Sequence, residues 1–461
     1  MNNNHSRQGL IVICAAAFLV PFMGSALNLA LPKIGEEFSL DAVMLTWLAT
    51  VYLISTAIFQ IPFARVADIV GRKKIFLCGV VLFSLCCFLC AFVCSGAELL
   101  MLRFLTGIGS SMMMSTNIAI LSSLYAPEKR GKAFGISVAV VYAALAVGPF
   151  FGGMLTHYFG WHSIFYTTAG AGIVVLVLTT MFLRGEWVEA KGEPFDVQGA
   201  LLYGVGLAAI IYGFSSLPSL AGIVCLIGGI ALFVYFYKYE NRQQFPVLNV
   251  QLFSKNRTFA LSSLAALINY AATAAIAFML SLYLQYVRGL TPQTAGLILI
   301  SQACVQSVFS LVAGSLSTRI EPSKLATAGM SIIVVGLCGL IFISETTPYW
   351  YIITLLVCLG VGFGIFSSPN TNVIMASVEK RQYSQASATT GTMRLAGQAF
   401  SMGIAGMCIS FYVGKNEIAY KLPEFLQSMH TTCIIFALLC VVGVYASRAR
   451  IERKPNSDKN R

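Results

Sequence analysis

Asp68, Gly71, Arg72, Lys73 and Lys74 stand within seven residues of one another, between two long apolar stretches. A carboxylate, a glycine and three cations suit a tight turn at a membrane surface, because charges and turning backbone are excluded from hydrocarbon. Asp68 can accept hydrogen bonds from helix N-termini or pair with basic residues on a neighbouring helix. Such a charge lock would hold one conformational state until broken. An ordinary basic turn would account for Arg72, Lys73 and Lys74 but not for Asp68. Arg103 and Arg394 are the ionisable side chains placed deep within apolar stretches. An intramembrane cation costs a few kcal/mol and marks a functional candidate, although backbone carbonyls can also satisfy a structural arginine. Arg394 reads as structural or gating rather than as a substrate ligand.

No carboxylate shares that depth. All 18 Asp and Glu fall in loops, tails or the ends of apolar stretches, which leaves Glu98, at the end of the fourth, as the acidic candidate for a proton. His157 and His162 flank a loop. Thirteen cysteines lie almost entirely in apolar stretches, where a free thiol packs as a small hydrophobe. No pairing of cysteine with histidine suggests a metal, and no cofactor is implied. Paired carboxylates or a nucleophile with its base would suggest an enzyme, and neither occurs. The absence of Gly-x-x-x-x-Gly-Lys-[Ser/Thr] argues against ATP as a driving force.

A polar cavity would have to be built from neutral groups. The inward candidates are Asn28, Tyr52, Gln60, Asn117, Tyr142, Asn269, Tyr270, Gln302, Gln306, Asn370 and Asn372. Interhelical hydrogen bonds would justify many of these amides, so about half are expected to line a cavity. Met112, Met113 and Met114 could add an adaptable apolar lining. Two buried arginines without a carboxylate would favour neutral or anionic amphiphiles over cations. Pro149 removes a helical hydrogen bond, and Gly148 with Gly152 leaves a flat face. That face could seal a cavity against the other half of the molecule, or could serve simple packing.

These residues are carried by a chain of 461 residues, 57% apolar and 10% charged, with mean hydropathy +0.79. Its apolar runs are of about 20 residues, the length that crosses about 30 Å of hydrocarbon as helix. Spans are predicted at about 10–32, 43–67, 75–95, 98–125, 133–156, 163–183, 197–217, 219–238, 257–285, 294–318, 324–343, 349–375, 385–413 and 429–447. No cleavable signal is evident, so the first helix is expected to remain. With both termini cytoplasmic, 24 of the 30 Lys and Arg lie inside, four lie outside, and Arg103 and Arg394 lie within spans. The net charge of +12 then follows from orientation and contact with anionic lipid, without a nucleic-acid partner. The basic tail from Arg448 reads as a solvated anchor.

A shift of 253 residues superposes Gly107 and Gly109 on Gly360 and Gly362, Asn117 on Asn370 and Ala133 on Ala386. The charged turn has an echo at Gly314 to Arg319, with Thr318 in the acidic place. Two related halves suggest a site at their interface and a rocking motion. The spans at 197–217 and 219–238 have no counterpart. The expected domains are therefore an N-terminal six-helix bundle (1–196), an inserted two-helix hairpin with its linker (197–245), and a C-terminal six-helix bundle with a basic tail (246–461).

The chain resembles the major facilitator superfamily, and within it the fourteen-helix drug:proton antiporters. The turn fits the superfamily signature with Ala64 in place of its first glycine. Arg103, in Arg103-Phe-Leu-Thr-Gly107-Ile-Gly109, matches the fourth-helix arginine. Gly135, Ala144, Gly148, Pro149, Gly152 and Gly153 resemble the fifth-helix antiporter signature, with Ala144 replacing a glycine. The stretch from Tyr283 to Gly296 is similar to the fourteen-helix family. The resemblance implies an all-α membrane fold of two six-helix bundles plus two inserted helices. Gating roles are implied for Asp68, Gly71, Arg72, Lys73, Arg103, Gly148, Pro149, Gly152 and Gly153, while Arg394, outside these motifs, is a gating candidate as an intramembrane cation. The family's first-helix aspartate is Met23 here, which weakens the case for proton coupling. The expected function is export of amphipathic, drug-like molecules across the cytoplasmic membrane by a monomer, in antiport with protons. The alternatives are export of one anionic metabolite or lipid without proton coupling, and, remotely, a membrane receptor or enzyme.

Overall fold

The computed structural model describes residues 3–217, 219–317, 319–378 and 383–449. Thr318 and the tail beyond Ala449 lie outside the described residues, so the acidic echo and most of the basic anchor carry no structural account here. Among the described residues there are fourteen helices long and apolar enough to cross a membrane, and no strand.

The first six spans are α1 (Asn3–Phe38), α2 (Ala42–Val70), α3 (Arg72–Cys90), α4 (Gly96–Leu124), α5 (Pro127–Phe159) and α6 (His162–Phe182). A hairpin follows, α7 (Val197–Ser215) and α8 (Leu220–Glu240), then a short surface helix α9 (Gln251–Lys255). The remaining helices are α10 (Arg257–Ala271), α11 (Ala274–Leu282), α12 (Pro292–Leu316), α13 (Pro322–Leu340), α14 (Tyr349–Ala376), α15 (Tyr383–Tyr412) and α16 (Leu422–Ala449). Side-chain caps start several of them. Asp41 accepts from Met44 N at 2.6 Å, and Ser219 from Gly222 N at 3.1 Å. Each satisfies an amide the first helical turn leaves unpaired.

The internal repeat is visible in how helices approach. A Cβ on Gly107 of α4 would meet Tyr52 O of α2 at 2.7 Å, and one on Gly360 of α14 would meet Gln302 O of α12 at 2.5 Å. Repeat-related glycines thus make the same backbone contact in each half. Across the halves, the main contacts are α5 with α12 and α2 with α15, while the α7–α8 pair lies against α2 and α15.

The predicted span 257–285 is not one helix. It breaks at Ala272 and Thr273, and its last stretch, Tyr283–Val287, is a π-helical turn. No proline or internal glycine announces the break. It is tolerated because Ser401 of α15 accepts the amide of Ala275 at 2.9 Å and Thr273 Oγ1 donates to Asn269 O at 2.7 Å. Neighbouring side chains thereby satisfy backbone groups that lipid could not.

Candidate functional site

Two adjoining lobes occupy the space between the halves, about 210 and 200 Å³ in volume. Together they reach the lower part of the roughly 300–1,000 Å³ range typical of ligand pockets. The first lobe is lined by Asn28, Tyr52, Arg103, Gln302, Gln306 and Gln398, with Pro149 on its wall. The second lies toward the charged turn and is lined by Gln60, Asp68, Asn117, Ser137, Asn370 and Thr390. Tyr142, Tyr270, Met114 and Arg394 belong to both. Tyr142 Oη lies 3.5 Å from Tyr270 Oη and is bonded to Ser367 Oγ, so residues of both halves meet at the waist.

Nine of the eleven neutral candidates therefore line the cavity, more than the half expected. The two that do not are Asn372, which donates to Ser317 Oγ at 3.1 Å, and Asn269, fully buried in the helical core. Of the three methionines, Met114 lines the cavity while Met113 is core. Gln398 was absent from the sequence expectation. Its spacing of four residues from Arg394, one helical turn, was the available signal.

Arg103 is 1% exposed and meets no carboxylate among the described residues. Its guanidinium sits 4.4 Å from the centre of the Tyr52 ring, Nε donates to Leu48 O at 3.4 Å, and Nη1 has no partner. Tyr52 is held in turn by Val20 O at 3.1 Å and Ser110 Oγ at 2.8 Å. The Tyr52 ring and one backbone carbonyl are its partners, and Nη1 is left buried without an acceptor. Glu98 does not approach it. Its carboxylate is exposed and accepts Cys94 N at 2.9 Å, while Ser95 Oγ accepts Glu98 N at 3.2 Å, a capping arrangement at the start of α4.

At the charged turn, a carboxylate in the last turn of α2 meets the cation that opens α3. Asp68 pairs with Arg72 of its own turn at 2.8 Å. Arg72, read from sequence as one of three surface cations, is 1% exposed. It also binds Glu189 at 2.8 Å, Ser123 Oγ at 2.9 Å and Ala119 O at 3.2 Å. The linker before α7 straps over this turn: Asp68 O accepts Glu189 N at 3.1 Å and Ala190 N at 2.9 Å, and Arg72 N donates to Trp187 O at 3.0 Å. Lys73 N donates to Glu186 Oε1 at 2.8 Å, and Arg65 pairs with Glu193. Gly71 has φ 131°, and a Cβ there would meet Glu186 Oε1 at 2.6 Å, so both backbone and strap require glycine.

The small-residue face of α5 is also redistributed. Gly148 and Gly152 pack on Ser25 and Ala26 of α1, within the first half, rather than on the other half. The seam with the second half is made by Gly153, whose Cβ would meet Pro292 O at 2.3 Å, and by Gly296, whose Cβ would meet Pro149 O at 2.4 Å. At the same end Ser281 Oγ donates to Asn28 O at 2.8 Å and Ala42 N to Asn416 O at 3.1 Å. Close inter-half backbone contacts thus gather at the end opposite the charged turn.

Two helical halves around a central, mostly apolar cavity edged with amides and hydroxyls have the architecture of a multi-pass membrane transporter. The chain belongs to the Major Facilitator Superfamily, whose sequence profile matches residues 13–402 and again 262–461. It is 29% identical over 442 residues to the riboflavin transporter RibZ of Clostridioides difficile (strain 630), covering 94% of this chain and 95% of that one. It is 28% identical over 409 residues to the methylenomycin A resistance protein of Bacillus subtilis (strain 168), covering 87% of each. Multidrug resistance protein Stp of Mycobacterium tuberculosis (strain CDC 1551 / Oshkosh) is 28% identical over 413 residues, covering 88% of this chain and 76% of Stp. In fold, the chain is similar to a bacterial homologue of the human lysosomal transporter Spinster, with TM-score 0.72, 16% identity, and coverage of 98% and 99%.

Proposed function

We propose that this chain exports amphipathic, drug-like small molecules by alternating access, with protons as countersubstrate, and that it favours neutral and anionic compounds over cations. The carrying observation is the first lobe, which holds Arg103 and Arg394 and no carboxylate among its lining residues. Such a cavity sets a positive potential in a low-dielectric surround. The drug-resistance relatives support export of foreign compounds. In this reading the charged turn faces the cytoplasm, the cavity fills from that side, and the protein works as a monomer in contact with anionic lipid. The lock at Asp68, Gly71, Arg72 and Lys73 and the seam at Pro149 and Gly153 act as the gates.

The likeness to a riboflavin transporter over nearly the full length of both chains favours a second reading, in which one metabolite is the physiological cargo. Reconstitution in liposomes with imposed pH and voltage gradients distinguishes these. Anionic and neutral dyes are expected to move faster than cationic ones, and an opposing proton gradient is expected to accelerate them. Strong preference for a dication, with no effect of Arg103→Ala, would overturn the charge preference. Movement indifferent to collapse of the pH gradient would refute antiport.

A further inference from the structure

Asp196 and Glu240 meet at the foot of the α7–α8 hairpin, outside the cavity. Asp196 caps α7. Its Oδ1 accepts Gly199 N at 2.8 Å and the Tyr239 hydroxyl at 3.1 Å. Glu240, the last residue of α8, is 2% exposed, and its Oε2 accepts Leu248 N at 3.4 Å. The other oxygen of each carboxyl, Asp196 Oδ2 and Glu240 Oε1, is buried with no hydrogen-bond partner. Both crowd one point. A Cβ on Gly199 would lie 2.5 Å from the first and 2.4 Å from the second. Two unsatisfied acceptors therefore face the same gap.

No basic side chain among the described residues pairs with either carboxyl. From α2, Arg65 is taken by Glu193 of the strap. Lys238 and Arg242, flanking Glu240, and Lys191 of the strap are exposed. Arg394, the charged residue of α15, lines the cavity. Tyr239 is the remaining titratable group at the gap, and its hydroxyl already donates to Asp196. Two carboxylates left in this state would each keep one buried oxygen without a donor and would repel one another.

We propose that Asp196 and Glu240 form a proton-binding dyad. One proton, taken from water, forms an O–H bond on Glu240 Oε1 and is donated to Asp196 Oδ2, which satisfies both orphan oxygens. The proton belongs on Glu240 because the N-terminus of α7 and two donors hold Asp196 as an acceptor. Its release returns it to water and leaves two negative charges across the gap. Asp196 lies three residues after Glu193, so separation of α7 from α8 would pull on the Arg65–Glu193 pair and loosen the strap. The inference rests on this corner alone and stands whatever the substrate.

Infrared pH-difference spectra of the purified full-length protein test it. A protonated-carboxyl C=O band, sensitive to deuterium exchange, is expected to disappear as pH rises, to be absent in Glu240→Gln and to shift in Asp196→Asn. Thermal midpoints give a second readout. A carboxyl that binds its proton more tightly in the folded than in the unfolded chain contributes stability that falls as pH rises. Wild-type Tm should fall through this titration, and Glu240→Gln should lose that slope. If Glu240→Gln does not fold, Asp196→Asn, which retains the cap, takes its place. A Glu240→Gln spectrum and Tm profile matching wild type would overturn the proposal. So would stabilisation by sodium or potassium at fixed pH, which would make the gap a cation site.

Discussion

Arg72 joins more partners than its place in a run of three cations suggests. It ties Asp68, Glu189, Ser123 and the carbonyl of Ala119 into one buried cluster. Removing it leaves Asp68 and Glu189 without their shared cation, while the backbone bonds of the strap remain. Arg72→Ala is expected to cost about 1.5–3 kcal/mol, the range for a hydrogen bond to a charged group. The measurement is the denaturation midpoint in detergent, together with faster proteolysis of the segment 184–196. Arg103→Ala should leave stability less affected and reduce transport of anionic dyes at least tenfold more than that of neutral ones, while Arg103→Lys should retain part of it. The polar cavity residues were legible in the sequence because an amide inside an apolar span is costly and needs a reason to be there. The linker partners of the charged turn were not legible. Glu186, Glu189 and Glu193 look like any solvated linker until the fold lays them over the turn.

At the level of helices, the α5–α12 seam sets how closely the halves can approach. Gly296 faces the carbonyl of Pro149 with no room for a methyl group, and Gly153 faces that of Pro292. Gly296→Ala is therefore expected to shift the population toward the arrangement in which this end is open. Spin-label distances across it, in a cysteine-depleted background, should lengthen without loss of fold. Sequence gave the fourteen spans and the identity of the small residues, but not which neighbour each faced. A pattern of glycines on a helix specifies a flat face, and only the angle of packing decides that Gly148 and Gly152 meet α1 while Gly153 meets α12. The break before α11 was equally hidden, because its compensation comes from Ser401, more than a hundred residues away.

Across the whole molecule, the distribution of basic residues predicts the orientation. Both ends of the described chain lie at the end of the bundle that carries Asp68: Ser6 Oγ donates to Leu124 O beside Ser123, and Ser447 meets Thr327 near the start of α13. A fluorescent-protein fusion at the C-terminus should fluoresce, and an alkaline phosphatase fusion there should be inactive. The reverse outcome would invert the assignment of the gates. The strap has a further consequence for how the polypeptide could be divided. It fastens the α7–α8 hairpin to the first half through backbone as well as side chains, while Asn241 and Arg242, just beyond Glu240, are exposed. Two separately expressed fragments, parted between Arg242 and Gln243, should find one another in the bilayer and rebuild a working protein. The same cut placed between Glu189 and Ala190 should not, since it severs the tie that carries the hairpin.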